Sequence, residues 1–132
     1  MRYIDATLSA FVDDPRFTGA VSGLHIAPAE DAQLHAYVVH FEPCGRTAWH
    51  SHERGQLLIC TDGLGYVSTR DGQLLELHPG STVWTGPGEE HWHGAGAYTS
   101  MTHVAVQTET PGRDSVRWLE PAIDILWDAA HE

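Results

Sequence analysis

Two short segments of this chain carry imidazoles at the spacing of a metal site. The first reads His50-Ser51-His52 with Gln56 four residues on, and the second reads His91-Trp92-His93. In an extended strand side chains alternate between faces, so residues two apart point the same way. His50 and His52 therefore form one pincer, and His91 and His93 a second. Gln56 shares the face of His52 if that strand runs on without a bulge. Neutral imidazole is the commonest protein ligand for divalent first-row ions, and an amide oxygen would complete a set of three nitrogens and one oxygen. Alone, His50 and His52 also fit two exposed strand histidines, and the second segment a surface loop that happens to carry histidine. The two segments together, with a strand-rich stretch between them, point to an ion bound by three imidazoles and the Gln56 amide oxygen.

Ten histidines stand in 132 residues, and six of them fall in or near these segments. His93 lies one step beyond His91 on the same face. His103 follows Met101-Thr102 in a neighbouring run of β-formers. An unligated imidazole beside a Lewis acid is placed to act as a general base. It is equally placed to hydrogen-bond a ligand and hold its orientation, and both roles stay open for His93 and His103. His25, His35, His40, His78 and His131 read as surface or packing residues.

The elements that must position these groups read as strands. Val21 to Ala27, Leu34 to Phe41, Gln56 to Thr61, Gly65 to Thr69, Gln73 to Leu77, Thr82 to Thr85, His91 to Gly94 and Thr99 to Gln107 are short runs rich in β-formers. Gly, Pro and Asp turns separate them, and Arg70-Asp71-Gly72 is a hairpin signal. Strands at this spacing predict an all-β sandwich or barrel. Met1 to Gly19 reads as an irregular N-terminal arm. Glu120 to Glu132 reads as a C-terminal tail in which Ile123 to Ala130 forms at most a short helix after Pro121. No repeat or linker divides the chain, so residues 1–132 read as one domain.

The bulk composition excludes several classes. The net charge is −11, with seven Arg and no Lys, the reverse of what phosphate neutralisation needs, so no nucleic-acid partner is expected. No apolar run approaches a membrane span, and Met1-Arg2-Tyr3-Ile4-Asp5 lacks the regions of a signal peptide. A cytoplasmic address is the simplest expectation. In that compartment Cys44 and Cys60 are expected as free thiols rather than a disulfide.

The segments Gly45 to Gly63 and Gly80 to Gly94 resemble the two paired motifs of the cupin superfamily: glycine, H-x-H, an acidic position and glycine, then glycine, P-x-G and histidine. A narrower likeness runs through Arg46-Thr47-Ala48-Trp49-His50-Ser51-His52, Gly55-Gln56, His78-Pro79-Gly80, Pro87 to Ala95 and Met101-Thr102-His103. It is similar to the small single-domain bacterial cupins that include manganese-dependent hydroxynitrile lyases, and it spans roughly Phe17 to Glu120. There are departures. Gln56 stands where Glu is usual, Glu89 where Gly is frequent, the trailing Asn is absent, and Gly45 lies one residue closer to His50.

The resemblance implies a double-stranded β-helix, or jelly-roll barrel. It implies the ligand set His50, His52, Gln56 and His91, with Thr47 hydrogen-bonding a substrate oxygen or serving as a turn residue. Ligand type alone admits Mn²⁺, Fe²⁺, Ni²⁺ or Zn²⁺, and the resemblance favours manganese or iron. With Gln56 in place of a carboxylate the ion keeps its full charge and is a stronger Lewis acid. The implied reaction is reversible cleavage of a cyanohydrin into aldehyde and cyanide, with a small carbonyl or hydroxyl compound as substrate. The rival readings are a metal-dependent dioxygenase and a non-enzymatic cupin that binds a small ligand. Exposed sheet edges invite assembly, and small cupins commonly pair, which predicts a homodimer or homotetramer. Trp49, Trp84 and Trp92 are expected to wall a pocket or pack the core. Trp118 and Trp127 are expected in the tail, against the barrel or a second subunit. An inward Tyr37, alternating with Val39 and Phe41, would narrow the cavity.

Overall fold

Short runs of β-branched and aromatic residues punctuated by Gly and Pro turns fold here into strands, with no helix among the described residues. The computed structural model describes residues 1–28 and 33–123. The expected C-terminal turns of helix, Trp127 and His131 lie outside them. The strands are Thr7–Ala10 (β1), Phe17–Thr18 (β2), Val21–Ile26 (β3), Leu34–Phe41 (β4), Arg46–Thr47 (β5), His50–His52 (β6) and Gln56–Gly63 (β7). Gly65–Thr69 (β8), Leu74–Leu77 (β9), Thr82–Thr85 (β10), His91–Ala95 (β11), Met101–Thr108 (β12) and Val116–Trp118 (β13) complete the series.

Two sheets face each other. One runs β1-β3-β4-β12-β7-β10. The other runs β13-β6-β11-β5-β2, with β8 pairing β11 and β9 pairing β8. All the pairings are antiparallel, and the connections cross between the sheets, as a jelly roll requires. Apolar residues at alternate positions meet between the sheets: Phe41, Leu58, Leu77 and Met101 are fully buried, with Val21, Cys60, Val67 and Ala105 around them. Neither Cys44 nor Cys60 is in a disulfide.

The N-terminal segment differs from the expected irregular arm. Its residues Thr7–Ala10 pair with β3, and Phe17–Thr18 pair with β5. The side chains of β1 are exposed on both faces, so no hydrophobic alternation marked it. The strand exists because β3 offers an unpaired edge. The segment Val116–Trp118 is likewise a strand, pairing with β6.

A second difference bears on the site. The strand through His52 does not run on to Gln56. Gly55 adopts φ +82° and its amide donates to the His52 carbonyl at 3.3 Å, turning the chain out of one sheet and into the other. A Cβ at Gly55 would stand 2.5 Å from the Trp84 ring, so both backbone sign and space require glycine. His52 and Gln56 therefore approach from opposite sheets.

Candidate metal centre

Strand pairing brings the two histidine segments together. His91 of β11 stands directly opposite His50 of β6, and their rings are 4.3 Å apart between centroids. Close backbone contact makes this register fit: a Cβ at Gly94 would meet the Gly45 carbonyl oxygen at 2.4 Å. From the facing sheet, β7 contributes Gln56 and β12 contributes His103 and Gln107. A one-residue register shift at Thr102/His103 leaves Thr61 of β7 without a partner. Beyond it His103, Ala105 and Gln107 keep one inward parity.

Among the described residues, one ring nitrogen each of His50, His91 and His93 lie within 4.8 Å of one another. His52 is packed into the same nest, 5.1 Å from His50 and 5.5 Å from His91 between ring centroids. All four imidazoles are buried.

Hydrogen-bond direction shows what this nest can accommodate. His50 Nδ1 is 2.8 Å from the Ala48 carbonyl oxygen, and His91 Nδ1 is 2.9 Å from the Glu89 carbonyl oxygen. A carbonyl only accepts, so each Nδ1 carries the proton and each Nε2 presents a lone pair. His91 Nε2 then faces Gln56 Oε1 at 3.2 Å, acceptor against acceptor. Moving the His91 proton to Nε2 would only shift the conflict to Glu89. An imidazolium would satisfy both contacts, but His91 is held below its ordinary pKa chiefly by burial. A cation between Nε2 and Oε1 removes the conflict. Both ring nitrogens of His52 and Nε2 of His93 are also buried without a hydrogen-bond partner. The donor set, neutral imidazoles with one amide oxygen, suits a divalent first-row ion.

The same burial keeps the other rings neutral. Desolvation, then the fields of His91 and His52, depress His50 far below its normal range. Desolvation and the neighbouring His91 take His52 to about 3, against a smaller opposing pull from the Gln56 side chain. Desolvation, then His103 and His50, depress His93, and desolvation takes His103 to about 4. Neutral imidazole is the form that binds metal and the form that accepts a proton.

His93 and His103 form a pair, with His103 Nε2 2.8 Å from His93 Nδ1. Thr47 sits behind them. Its Oγ1 accepts the His93 backbone N–H at 3.2 Å and lies 3.4 Å from His50 Nδ1. These residues close one end of a cavity of about 400 Å³ lined by Thr47, His50, His52, Gln56, His93 and His103. Its other walls include Tyr37, Val39, Phe41 and Ala105, so the alternation read along β4 does face inward and Tyr37 narrows the space.

Three contributors were not read from the sequence. Trp118 of β13 stacks on His50 at 4.6 Å and 28° and lines the cavity; its aromatic character was visible but its strand was not. Gln107 shares the inward parity of His103, a signal that was available. Glu109 follows just beyond the strand and has no such mark. Among the described residues, the other tryptophans lie outside the cavity lining: Trp92 is buried on the outer side with Ala122 and Trp49, Arg70 lies over the Trp49 ring at 4.0 Å, and Trp84 is exposed.

Two facing antiparallel sheets enclose a nest of imidazoles that could hold a metal ion, and the chain belongs to the cupin family: residues 37–105 match the cupin domain. Over 109 residues it is 47% identical to an (R)-mandelonitrile lyase of Granulicella tundricola, covering 82% of each protein. A cupin-like protein from Thermotoga maritima superposes with a TM-score of 0.78 at 33% identity over 86% of each chain. The polyketide cyclase RemF of Streptomyces resistomycificus shares the fold, with a TM-score of 0.69 at 20% identity over 98% of this chain and 88% of that one. No helix among the described residues is long and apolar enough to cross a membrane.

Proposed function

We propose that this protein is a divalent-metal-dependent lyase that cleaves cyanohydrins reversibly into an aldehyde and cyanide. The observation that carries the reading is the acceptor-to-acceptor contact of His91 Nε2 and Gln56 Oε1, set among buried lone pairs beside an imidazole pair able to take a proton. The 47% identity to an (R)-mandelonitrile lyase supports it. His50, His52, Gln56 and His91 would hold the ion, with manganese or iron favoured. Bound there, it supplies positive charge for the anion that develops as the carbon–carbon bond breaks.

The remaining steps belong to this chain's own residues. The His103–His93 pair accepts the substrate hydroxyl proton, His103 serving as the base and His93 holding it. The O–H bonding pair becomes the carbonyl π bond, and the carbon–carbon pair leaves with cyanide. The proton then passes from the imidazole to cyanide. Thr47 Oγ1 uses its lone pair on the His93 backbone N–H, which leaves its own proton to donate to the substrate oxygen. Val39, Phe41 and Ala105 pack against the aldehyde side chain and exclude water. The cavity volume falls within the ~300–1,000 Å³ range of small-molecule sites.

A dioxygenase of the usual type pairs two histidines with a carboxylate at the ion. The carboxylate linked to this nest, Glu109, reaches it only through Gln107 and Gln56, which favours the lyase. Metal analysis of the purified protein, followed by mandelonitrile cleavage with and without chelator, tests the reading. Aldehyde release that stops on chelation and returns with Mn²⁺ or Fe²⁺ is expected. A loaded protein that releases no aldehyde at any pH would leave only a binding or oxidative role. We also propose a homodimer or homotetramer, supported by the exposed Leu8 and Val12 around edge strand β1, for light scattering to check.

A further inference from the structure

A chain of hydrogen bonds leads from the metal nest along the cavity lining to Glu109. Gln56 Nε2 donates to Gln107 Oε1 at 2.9 Å. Gln107 Nε2 donates to Glu109 Oε2 at 3.4 Å, and the Tyr37 hydroxyl donates to the same oxygen at 2.8 Å. Gln56 and Gln107 are buried, so water does not compete freely for their amides.

An amide can turn over, exchanging its donor and acceptor ends, and an amide at a metal must present oxygen. Nothing in Gln56 itself fixes that choice. The far end of the chain does. A carboxylate has no proton to donate, so Gln107 must turn its NH₂ toward Glu109 and its oxygen toward Gln56. Gln56 must then give its NH₂ to Gln107, which leaves Oε1 facing His91 and the nest. We infer that Gln107 and Glu109 are positioning residues that fix the Gln56 amide oxygen-inward and so complete the donor set of the ion. This rests on the metal-site reading above. It adds that one donor is oriented by an acceptor-only group two hydrogen bonds away.

The test uses the full-length protein and Mn²⁺ alone as probe, its affinity read from the electron paramagnetic resonance signal of the free ion. Gln107→Leu, which removes the acceptor for the Gln56 NH₂, is expected to weaken Mn²⁺ binding by about tenfold, the low end of what loss of a ligand-orienting partner costs. Glu109→Gln, which can donate as well as accept, is expected to weaken it by at least ~3-fold. The double variant Gln107→Glu/Glu109→Gln moves the acceptor-only group one step inward, so the 107–109 hydrogen bond reverses while position 107 still accepts from the Gln56 NH₂, and it is expected to restore affinity to within about twofold of wild type. A residue needed only for packing would show no such rescue.

A second readout needs no metal. In the metal-free wild type, side-chain amide NOEs should place the Gln56 NH₂ against Gln107 and away from the His91 ring, while Glu109→Gln should show both contacts. Wild-type affinity and NOE pattern in Glu109→Gln, or a double variant that binds Mn²⁺ no better than Glu109→Gln alone, would overturn the inference. A wild type that binds no Mn²⁺ yet shows the expected NOE patterns would instead refute the metal reading and leave the orientation standing.

Discussion

His93 and His103 share one hydrogen-bonding proton across a 2.8 Å contact between Nδ1 and Nε2. Whichever ring donates, the outer nitrogens, His93 Nε2 and His103 Nδ1, are left buried without partners. The Phe41 ring packs against this pair, tilted 5.2 Å from His103 and nearly perpendicular 6.0 Å from His93 between centroids, so the rings have little freedom to swing away. A proton taken at one end can therefore be passed to the other.

Replacing His103 by Ala should lower kcat by roughly 10²–10⁴, the usual contribution of a positioned base, while leaving bound metal per subunit unchanged. Elemental analysis alongside steady-state kinetics distinguishes the roles. Loss of metal in His103→Ala would move this residue into the ligand set.

Acid should destabilise the metal-free protein steeply. In the folded chain burial holds His52 at about 3 and His103 at about 4, whereas both return to about 6.5 on unfolding. The unfolded state thus binds more protons below 6.5. The stability is complete above that pH and is lost as the pH falls toward the folded values. By pH 5 the loss is roughly 2 kcal/mol for each of the two groups. Melting curves of the chelated protein as a function of pH should show this decline, and saturating Mn²⁺ should oppose it by mass action. A flat profile between neutral pH and pH 5 would mean that these rings are not desolvated.

Gly55→Ala should harm both fold and site. The new Cβ would meet the Trp84 ring at 2.5 Å and the Thr85 carbonyl oxygen at 2.7 Å, at a backbone φ of +82°. A cost of about 1–3 kcal/mol is expected from the strained backbone alone, measurable by urea denaturation. Gln56 follows directly in the chain, so Mn²⁺ affinity should fall as well.

Trp118→Ala should affect binding more than chemistry. The indole stacks on His50 and lines the cavity, with its other ring contact among the described residues being Phe17 rather than His93 or His103. Loss of a stack worth ~0.5–1.5 kcal/mol predicts KM raised by up to about tenfold with kcat little changed, and Trp118→Phe should recover most of it. A kcat loss as large as that of His103→Ala would place Trp118 in the proton path instead.

Much of the scaffold was legible because strand chemistry is local. The run Leu34–Phe41 and the run Thr82–Thr85 are strands at the boundaries read from their β-formers, and the hairpin around Arg70-Asp71-Gly72 joins β8 and β9 as its turn residues require. Alternation likewise put Tyr37, Val39 and Phe41 on one inward face. Edge strands escaped because their side chains are not sorted by burial: β1 is exposed throughout, and β13 holds three residues whose partner, β6, is more than sixty positions away.

By itself the order of residues determined that His50 pairs in direction with His52 and His91 with His93, since a two-residue period leaves no other choice in a strand. It also determined a β-barrel rich in imidazole and of net charge −11. Only the tertiary structure decided that His50 lies opposite His91, that Gln56 arrives from the facing sheet after the turn at Gly55, and that His93 meets His103. Those contacts depend on register between distant strands and on hydrogen-bond direction through buried side chains. Neither is encoded by spacing along the chain, because each donor's orientation is settled by the acceptor that happens to face it.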